Sequence, residues 1–367
     1  VYVAYRLKRL LPSADILVLE QNPQDVTFGF GVVLSAQGLQ FLADDDSELV
    51  QAISAGLESW DDIEIRIGGE RIRIDGIGFT AMGRIVLLRI LNEKVRQAGL
   101  SPIFGKAVTD LAEFGDADLI VAADGVNSLV RTRHEVEFGT RIETLTNWFA
   151  WFGASRPFDA LTQTFKMTGE GPFNAHHYRY SPSQSTFLVE TTAANFERRG
   201  LAKLSVEESR SLCEKMFADV LDGAEVISNR SIWRQFPKIT NERWSYKNMV
   251  LVGDALRTAH YSIGSGTRLA LEDVQALVSA IASTDGDIPA ALALFETQRK
   301  PIVQKLLDAA VKSAGWYERF DENMQLPPWE FAFRYISRSG RIDPDRLASA
   351  CPAFIRQYRE WKGRTDE

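Results

Sequence analysis

The sequence predicts a mixed α/β fold, in which a helix-flanked parallel sheet is interrupted by an inserted antiparallel sheet. Two short apolar runs, Asp118-Leu119-Ile120-Val121-Ala122-Ala123 and Met249-Val250-Leu251-Val252, read as buried parallel strands. Each stops abruptly, the first at Asp124-Gly125 and the second at Gly253-Asp254. Between them, Trp148 to Phe152, Gln163 to Lys166, Ala175 to Tyr180 and Thr186 to Thr191 alternate and are rich in aromatics, so they read as antiparallel strands of a separate layer.

The remaining elements follow from local periodicity. Val1 to Leu11 carries Val3, Ala4, Leu7, Leu10 and Leu11 on one face and reads as an amphipathic helix. Ile16-Leu17-Val18-Leu19 reads as a buried parallel strand with Glu20 at its carboxyl end. Residues 63–67 and 70–74 alternate with period two around Gly68-Gly69, a hairpin whose arginines face water. From Arg84 to Gln97, Leu87, Leu88, Leu91 and Val95 recur at helical spacing, and Gly99 closes the helix. Helices are expected from about Gly266 to Ala282 and from Ile288 to Trp316, after which Leu326-Pro327-Pro328 begins a C-terminal appendage.

Composition narrows the functional classes. The chain has 367 residues, 45% hydrophobic and 25% charged, which excludes disorder and a disulfide mini-scaffold. At about 150 residues per domain, two units are expected. A net charge of −7 gives no overall attraction to nucleic acid or anionic lipid. The two cysteines, Cys213 and Cys351, lack paired spacing to histidine, which argues against a zinc site and suits a reducing cytoplasm. No apolar run reaches membrane-spanning length.

Helix, strand and acid in that order form the second half of a βαβ nucleotide-binding unit, whose acid accepts hydrogen bonds from a ribose. For Glu20 an ordinary strand-end carboxylate is the alternative. The chain starts at Val1, and the expectation is that the natural one begins a strand and a Gly-rich turn earlier. The run Asp124-Gly125-Val126-Asn127-Ser128-Leu129-Val130-Arg131 puts a carboxylate and a Cβ-free residue at a strand's carboxyl end, where open α/β sheets bind ligands. Gly253-Asp254-Ala255, followed by Gly264-Ser265-Gly266 and a helix, repeats the arrangement. There the aspartate accepts hydrogen bonds from polyol hydroxyls, and the glycine turn lets helix N-terminal N–H groups face an anion.

With these motifs in this order, the sequence resembles the FAD-dependent aromatic hydroxylases of the p-hydroxybenzoate hydroxylase type, over essentially the whole chain. Asp25 to Val33, Trp60 to Glu64 and Thr258 to Gly266 are similar to stretches of salicylyl-CoA 5-hydroxylase and 2-aminobenzoyl-CoA monooxygenase. A violacein-pathway hydroxylase shares several of them. The resemblance implies a Rossmann-like FAD-binding domain (residues 1–60, 75–145 and 240–316), an inserted antiparallel substrate domain (61–74 and 146–239) and C-terminal helices (317–367). It implies that NADH or NADPH reduces FAD, that O2 then forms a flavin C4a-hydroperoxide, and that the distal hydroxyl passes to an electron-rich ring carbon.

By matching positions, the resemblance implies that Glu20 holds the adenosine ribose and Arg84 the pyrophosphate or ribityl region. Asp254, beside Gly253, would hold a ribityl hydroxyl, and Gly264 and Gly266 would set a helix N-terminus at the flavin pyrimidine edge. Asp124 and Gly125 match a motif used for both FAD and NAD(P)H, with Arg131 bracing the loop or forming a structural salt bridge. Arg257 stands where many relatives have histidine.

Such chemistry needs apolar walls that exclude water. Trp148, Trp151, Phe165 and Phe187 are the candidates, with core packing as the alternative for each. His176, Tyr178 and His260 are the candidates to hydrogen-bond or deprotonate a phenol or aniline substituent. Of His176 and His177, adjacent on one strand, one is expected to face solvent. Arg179, Arg334, Arg338 and Arg341 are candidate partners for CoA phosphates, or simply a solvated basic face. The expected partners are O2 and an aromatic small molecule, CoA-linked, free or indole-derived, with no metal, nucleic acid or membrane, in a monomer or homodimer. The rival readings are a different flavoenzyme and a flavin-free binding or scaffold protein.

Overall fold

The computed structural model describes residues 1–34, 42–43, 46–341 and 343–365. Parts of two expected segments, 35–41 and 44–45 within 1–60 and 342 and 366–367 within 317–367, lie outside the described residues.

The parallel strands form two small sheets. β1 (Leu19–Glu20) pairs with β7 (Ile103–Phe104), and β8 (Ile120–Ala122) pairs with β16 (Met249–Leu251), which β15 (Ser245–Tyr246) flanks antiparallel. The apolar run before Glu20 is less buried than its composition predicts: Leu17 is 58% exposed. Ile16 and Val18 pack on the core while Leu17 points outward, because only one face of this segment is covered. Helix α1 (Tyr2–Leu10) packs against α3 (Gly266–Ser283) and α2 (Arg84–Gln97), and α3 in turn packs against α4 (Ile288–Tyr317). Leu269, Val274, Leu277, Val278 and Ile281 form the buried stripe of α3.

The antiparallel layer is an eight-stranded sheet, in the order β13 (Val226–Ile227), β9 (Thr140–Ala154), β12 (Ser185–Thr191), β11 (Gly171–Arg179), β10 (Leu161–Thr168), β4 (Ile63–Ile67) and β5 (Glu70–Ile74), with β14 (Arg234–Asn241) also on β9. The hairpin β4–β5 joins it through a parallel pairing with β10. Register decides what each face carries. Gln163 lies opposite His176, His176 opposite Leu188 and Leu188 opposite Trp151, so these four share one face. The neighbouring row, Thr162, His177, Phe187 and Phe152, points to the other.

Both faces are covered. On the back, Phe152, Phe187 and Val189 pack with Phe196, Cys213 and Phe217 of the following helical segments. On the front, α5 (Pro328–Ser337) and α6 (Pro352–Thr365) close over the hairpin, burying Phe331, Tyr335 and Phe354 against Ile63, Ile65, Ile72 and Ile74. This corrects the expectation that one of the adjacent histidines faces water: His176 is 8% exposed and His177 0%. His177 Nε2 meets Thr164 Oγ1 at 3.0 Å, and its ring sits against Phe158 and Phe187 on the back face.

A fourth sheet, β2 (Gly31–Leu34), β6 (Phe79–Gly83) and β3 (Glu58–Trp60), has no counterpart among the predicted strands, because these short segments lack a sustained alternation. Gly31 lies so close to Tyr180 that a Cβ there would meet the Tyr180 Cβ at 2.7 Å. The Tyr178 hydroxyl donates to the Gly31 carbonyl at 3.1 Å, tying this sheet to the larger one. Among the described residues, no helix is long and apolar enough to cross a membrane.

Candidate active site

A cavity of about 1150 Å³ lies where the ends of β8 and β16, the start of α3 and the front face of the large sheet converge. Motif residues Arg84, Gly125, Gly253, Asp254, Gly264 and Gly266 line it, as do Trp151, His176 and Tyr178 from the sheet. The C-terminal segment adds Tyr335, Arg338 and Arg341.

Asp254 follows β16 in a single helical turn, Gly253–Ala255, and its side chain is exposed to the cavity. Desolvation inside the protein raises its pKa, opposed by the Arg84 and Arg257 guanidiniums. Among the described residues, nothing donates a hydrogen bond to this carboxylate. Arg84 is the first residue of α2, where a cation opposes the helix dipole, so helix stability does not explain it. It donates to the Phe28 carbonyl at 3.1 Å and lies on the cavity wall.

Gly264, at φ +60°, turns the chain so that α3 starts at the cavity, and an L-residue there would be strained. No side chain caps α3, and Gly266, Thr267 and Arg268 line the cavity, so the first N–H groups of an 18-residue helix are available to an acceptor.

A buried network fixes this loop. Asp273, on α3 and 0% exposed, accepts from Arg257 Nη2 at 2.7 Å, Arg299 Nε at 3.1 Å and the Gly253 N–H at 3.3 Å. Arg257 is thereby a structural partner of Asp273. Arg131 is 2% exposed and donates to the Ala255 carbonyl at 2.8 Å and to the Val126 carbonyl, linking the two motif loops. Carbonyls rather than a carboxylate are its partners. Asp124 accepts from the Leu129 N–H at 2.7 Å at the start of the helical turn Leu129–Arg133. Glu20 accepts from the Asn22 N–H and Nδ2 at 2.8 Å each. Neither Asp124 nor Glu20 lines the cavity; Gly125 does.

On the sheet side, burial and the nearby Arg338 guanidinium pull the His176 pKa down to about 3, so the imidazole is neutral. Among the described residues, its Nε2 has no protein partner, and neither does Trp151 Nε1. Burial pushes the Tyr178 phenol up to about 12. His260 stays outside the cavity lining: its Nδ1 meets Ser262 Oγ at 2.8 Å and its ring packs on Tyr261 and Phe236. The imidazole folds back to cap the turn Tyr261–Ile263, and Tyr261 faces the cavity instead.

Of the four expected wall aromatics, only Trp151 lines the cavity. Trp148 and Phe187 point to the back face, Trp148 stacking on Phe196 with centroids 4.0 Å apart. Phe165 is on the front face but is covered by Phe331 and Trp316. Phe187→Leu is expected to cost about 1–2 kcal/mol of stability and leave ligand affinity unchanged. Trp151→Ala is expected to weaken aromatic-ligand binding; thermal melts and binding titrations of the two variants check the contrast.

Two residues central to this geometry were not singled out from sequence. Asp273 sits at i+4 from Leu269 and i−4 from Leu277, an acid on the buried stripe of α3. Glu190 is an acid that directly follows the apolar run Phe187-Leu188-Val189 on the same strand, and it accepts a hydrogen bond from Tyr261.

These residues fit FAD. Asp254 is an unpaired acceptor for a hydroxyl, Arg84 is a cation for a phosphate or ribityl oxygen, and the uncapped α3 terminus faces the same space. The FAD binding domain family matches residues 93–310. The chain is 38% identical to salicyloyl-CoA 5-hydroxylase of a Streptomyces species, covering 98% of this chain and 71% of that protein. It is 36% identical to 3-hydroxy-4-methyl-anthranilyl-[aryl-carrier protein] 5-monooxygenase of Streptosporangium sibiricum, covering 91% and 90%. Its fold matches 2-methyl-3-hydroxypyridine-5-carboxylic acid oxygenase with a TM-score of 0.71 over 94% of each chain, at 19% identity. Cavity, motif loops and relatives agree: the chain belongs to the FAD-dependent monooxygenases that hydroxylate aromatic rings.

Proposed function

We propose that this chain hydroxylates the ring of an aromatic acyl thioester, with NADH or NADPH as the electron source and O2 as the oxygen source. One oxygen atom enters a ring C–H bond and the other leaves as water, while the nicotinamide is oxidised. Bound FAD supplies the oxygen activation. The protein's tasks are to hold the cofactor, orient the ring and keep water out. Asp254, Arg84 and the α3 terminus perform the first. The neutral His176 Nε2 and Trp151 Nε1–H, both without protein partners among the described residues, meet the polar substituents of the ring and its acyl carbonyl.

The observation that carries the thioester reading is that one cavity joins the FAD-binding residues to an exposed arginine. Arg341 lines the cavity, and among the described residues its guanidinium has no partner. It therefore remains available to a phosphate on the acyl carrier arm. The other three candidate arginines are engaged. Arg338 donates to Ser313, to the Tyr335 carbonyl and to the Ser262 carbonyl; Arg179 pairs with Glu58 at 2.9 Å and Arg334 with Glu330 at 2.8 Å.

Substrate-stimulated, O2-coupled NADH and NADPH oxidation tests this reading, with product analysis, across salicyloyl-CoA, anthraniloyl-CoA, the free acids and indoles. Hydroxylation of the thioesters is expected. Stimulation by a free acid or an indole alone would overturn the thioester assignment, and a purified protein that takes up no FAD would overturn the enzyme reading.

A further inference from the structure

We propose that Tyr261 and Glu190 form a proton-transfer pair for the substrate: Tyr261 accepts the proton of a ring hydroxyl while passing its own to Glu190. The inference rests on the aromatic-substrate reading of the cavity.

Tyr261 lines the cavity, and its hydroxyl donates to Glu190 Oε2 at 2.7 Å. That leaves an oxygen lone pair for a donor in the cavity. Glu190 is 1% exposed and, among the described residues, has no cationic partner. Its other oxygen accepts from Asn147 Nδ2 at 2.8 Å, and Asn147 also donates to the Tyr317 carbonyl at 2.8 Å. A buried carboxyl with only neutral donors is an expensive device for holding a loop, and a group that must take up a proton explains it. The strip beside it is polar as well: Asn174 lies opposite Glu190 on β11, and among the described residues Asn174 Oδ1 and both side-chain polar atoms of Gln163 have no partner.

Every charged or titratable group around the pair acts in a defined direction. Glu318, at the end of α4, accepts from the Asn147 N–H at 3.2 Å, and its charge disfavours ionisation of both Glu190 and Tyr261. Tyr317 adds to the rise at Tyr261. Arg338 lies over the Tyr317 and Tyr335 rings, while His260 and His176 are neutral. Burial, with the smaller effect of Glu318, lifts Glu190 to about 8. Below that pH Glu190 is already protonated and accepts nothing, and above it the carboxylate is a base, so transfer grows as pH rises through about 8.

The step balances without a further reactant. The substrate O–H bond breaks and its electron pair stays on the phenolate oxygen, enriching the ring. The Tyr261 O–H bond is remade as the original proton forms Glu190 COOH, and the reverse transfer reprotonates the product. Tyr261 is thus the catalytic group and Glu190 acts through it.

The test is a spectroscopic titration of salicyloyl-CoA bound to the FAD-loaded enzyme without NAD(P)H, following phenol and phenolate absorbance from about pH 6 to about pH 10. Wild type, Glu190→Gln and Tyr261→Phe are compared, with melting curves confirming that each is folded. In wild type, bound phenolate is expected to rise through about pH 8; both variants are expected to lose that step and about 10²–10⁴-fold in kcat, with KM little changed. Wild-type titrations and kcat in both folded variants would overturn the pair while leaving the substrate reading standing. Failure of salicyloyl-CoA to bind the FAD-loaded wild type would overturn that reading and the pair with it.

Discussion

Asp273→Ala is expected to destabilise the protein by about 3–5 kcal/mol, the largest stability loss expected of the substitutions considered. The side chain is fully buried and holds Arg257, Arg299 and the Gly253 N–H together. Deleting it strands the buried Arg257 guanidinium, whose Nε and Nη1 already have no hydrogen-bond partner among the described residues, and leaves Arg299 with Glu272 as its acid. It also frees the turn that presents Asp254. A lowered Tm, together with weakened FAD binding, is the expected result in calorimetry and flavin titration. Asp273→Asn keeps an acceptor for Gly253 and should lose less. A variant melting with wild type would show that the network contributes nothing.

Asp254→Ala is expected to weaken FAD binding by about 10–150-fold, the equivalent of one charge-assisted hydrogen bond of about 1.5–3 kcal/mol. The fold should be untouched. The Asp254 carboxylate has no protein donor among the described residues and carries a desolvation cost, so its removal relieves the apo protein rather than straining it. Flavin fluorescence titration measures the first effect and thermal melting the second. Full FAD retention would contradict the role assigned to Asp254, and loss of folding would make the residue structural.

Asp273 lies on α3 and Asp254 in the turn after β16, and they differed in how readable they were. Asp254 could be picked out because it breaks an apolar strand beside a glycine, which marks a ligand-facing strand end. Asp273 looked like one polar residue in an amphipathic helix, and its partners Arg257 and Arg299 are 16 and 26 residues away. Helix α2 and the hairpin β4–β5 occupy the residues their periodicity predicted, Arg84–Gln97 and Ile63–Ile67 with Glu70–Ile74. Local spacing carries that information, since side chains three or four apart on a helix, or two apart on a strand, share a face wherever the element sits.

The site behaved otherwise. Trp148 and Trp151 stand three apart on β9 and therefore point to opposite faces, but which face fronts the cavity depends on the helices that cover each side. The same ambiguity led to the expectation that one of His176 and His177 faces solvent, when a second core lies behind the sheet and buries His177. Motif order and periodicity by themselves predicted an α/β protein with an antiparallel insert and ligand-facing strand ends, because a strand end, a glycine turn and a helix start are contiguous in sequence; the flavin followed from the family resemblance those motifs carry. Long-range packing alone brought Tyr261 to Glu190 and removed His260, Phe165 and Phe187 from the cavity, because those contacts join segments whose meeting no local pattern encodes.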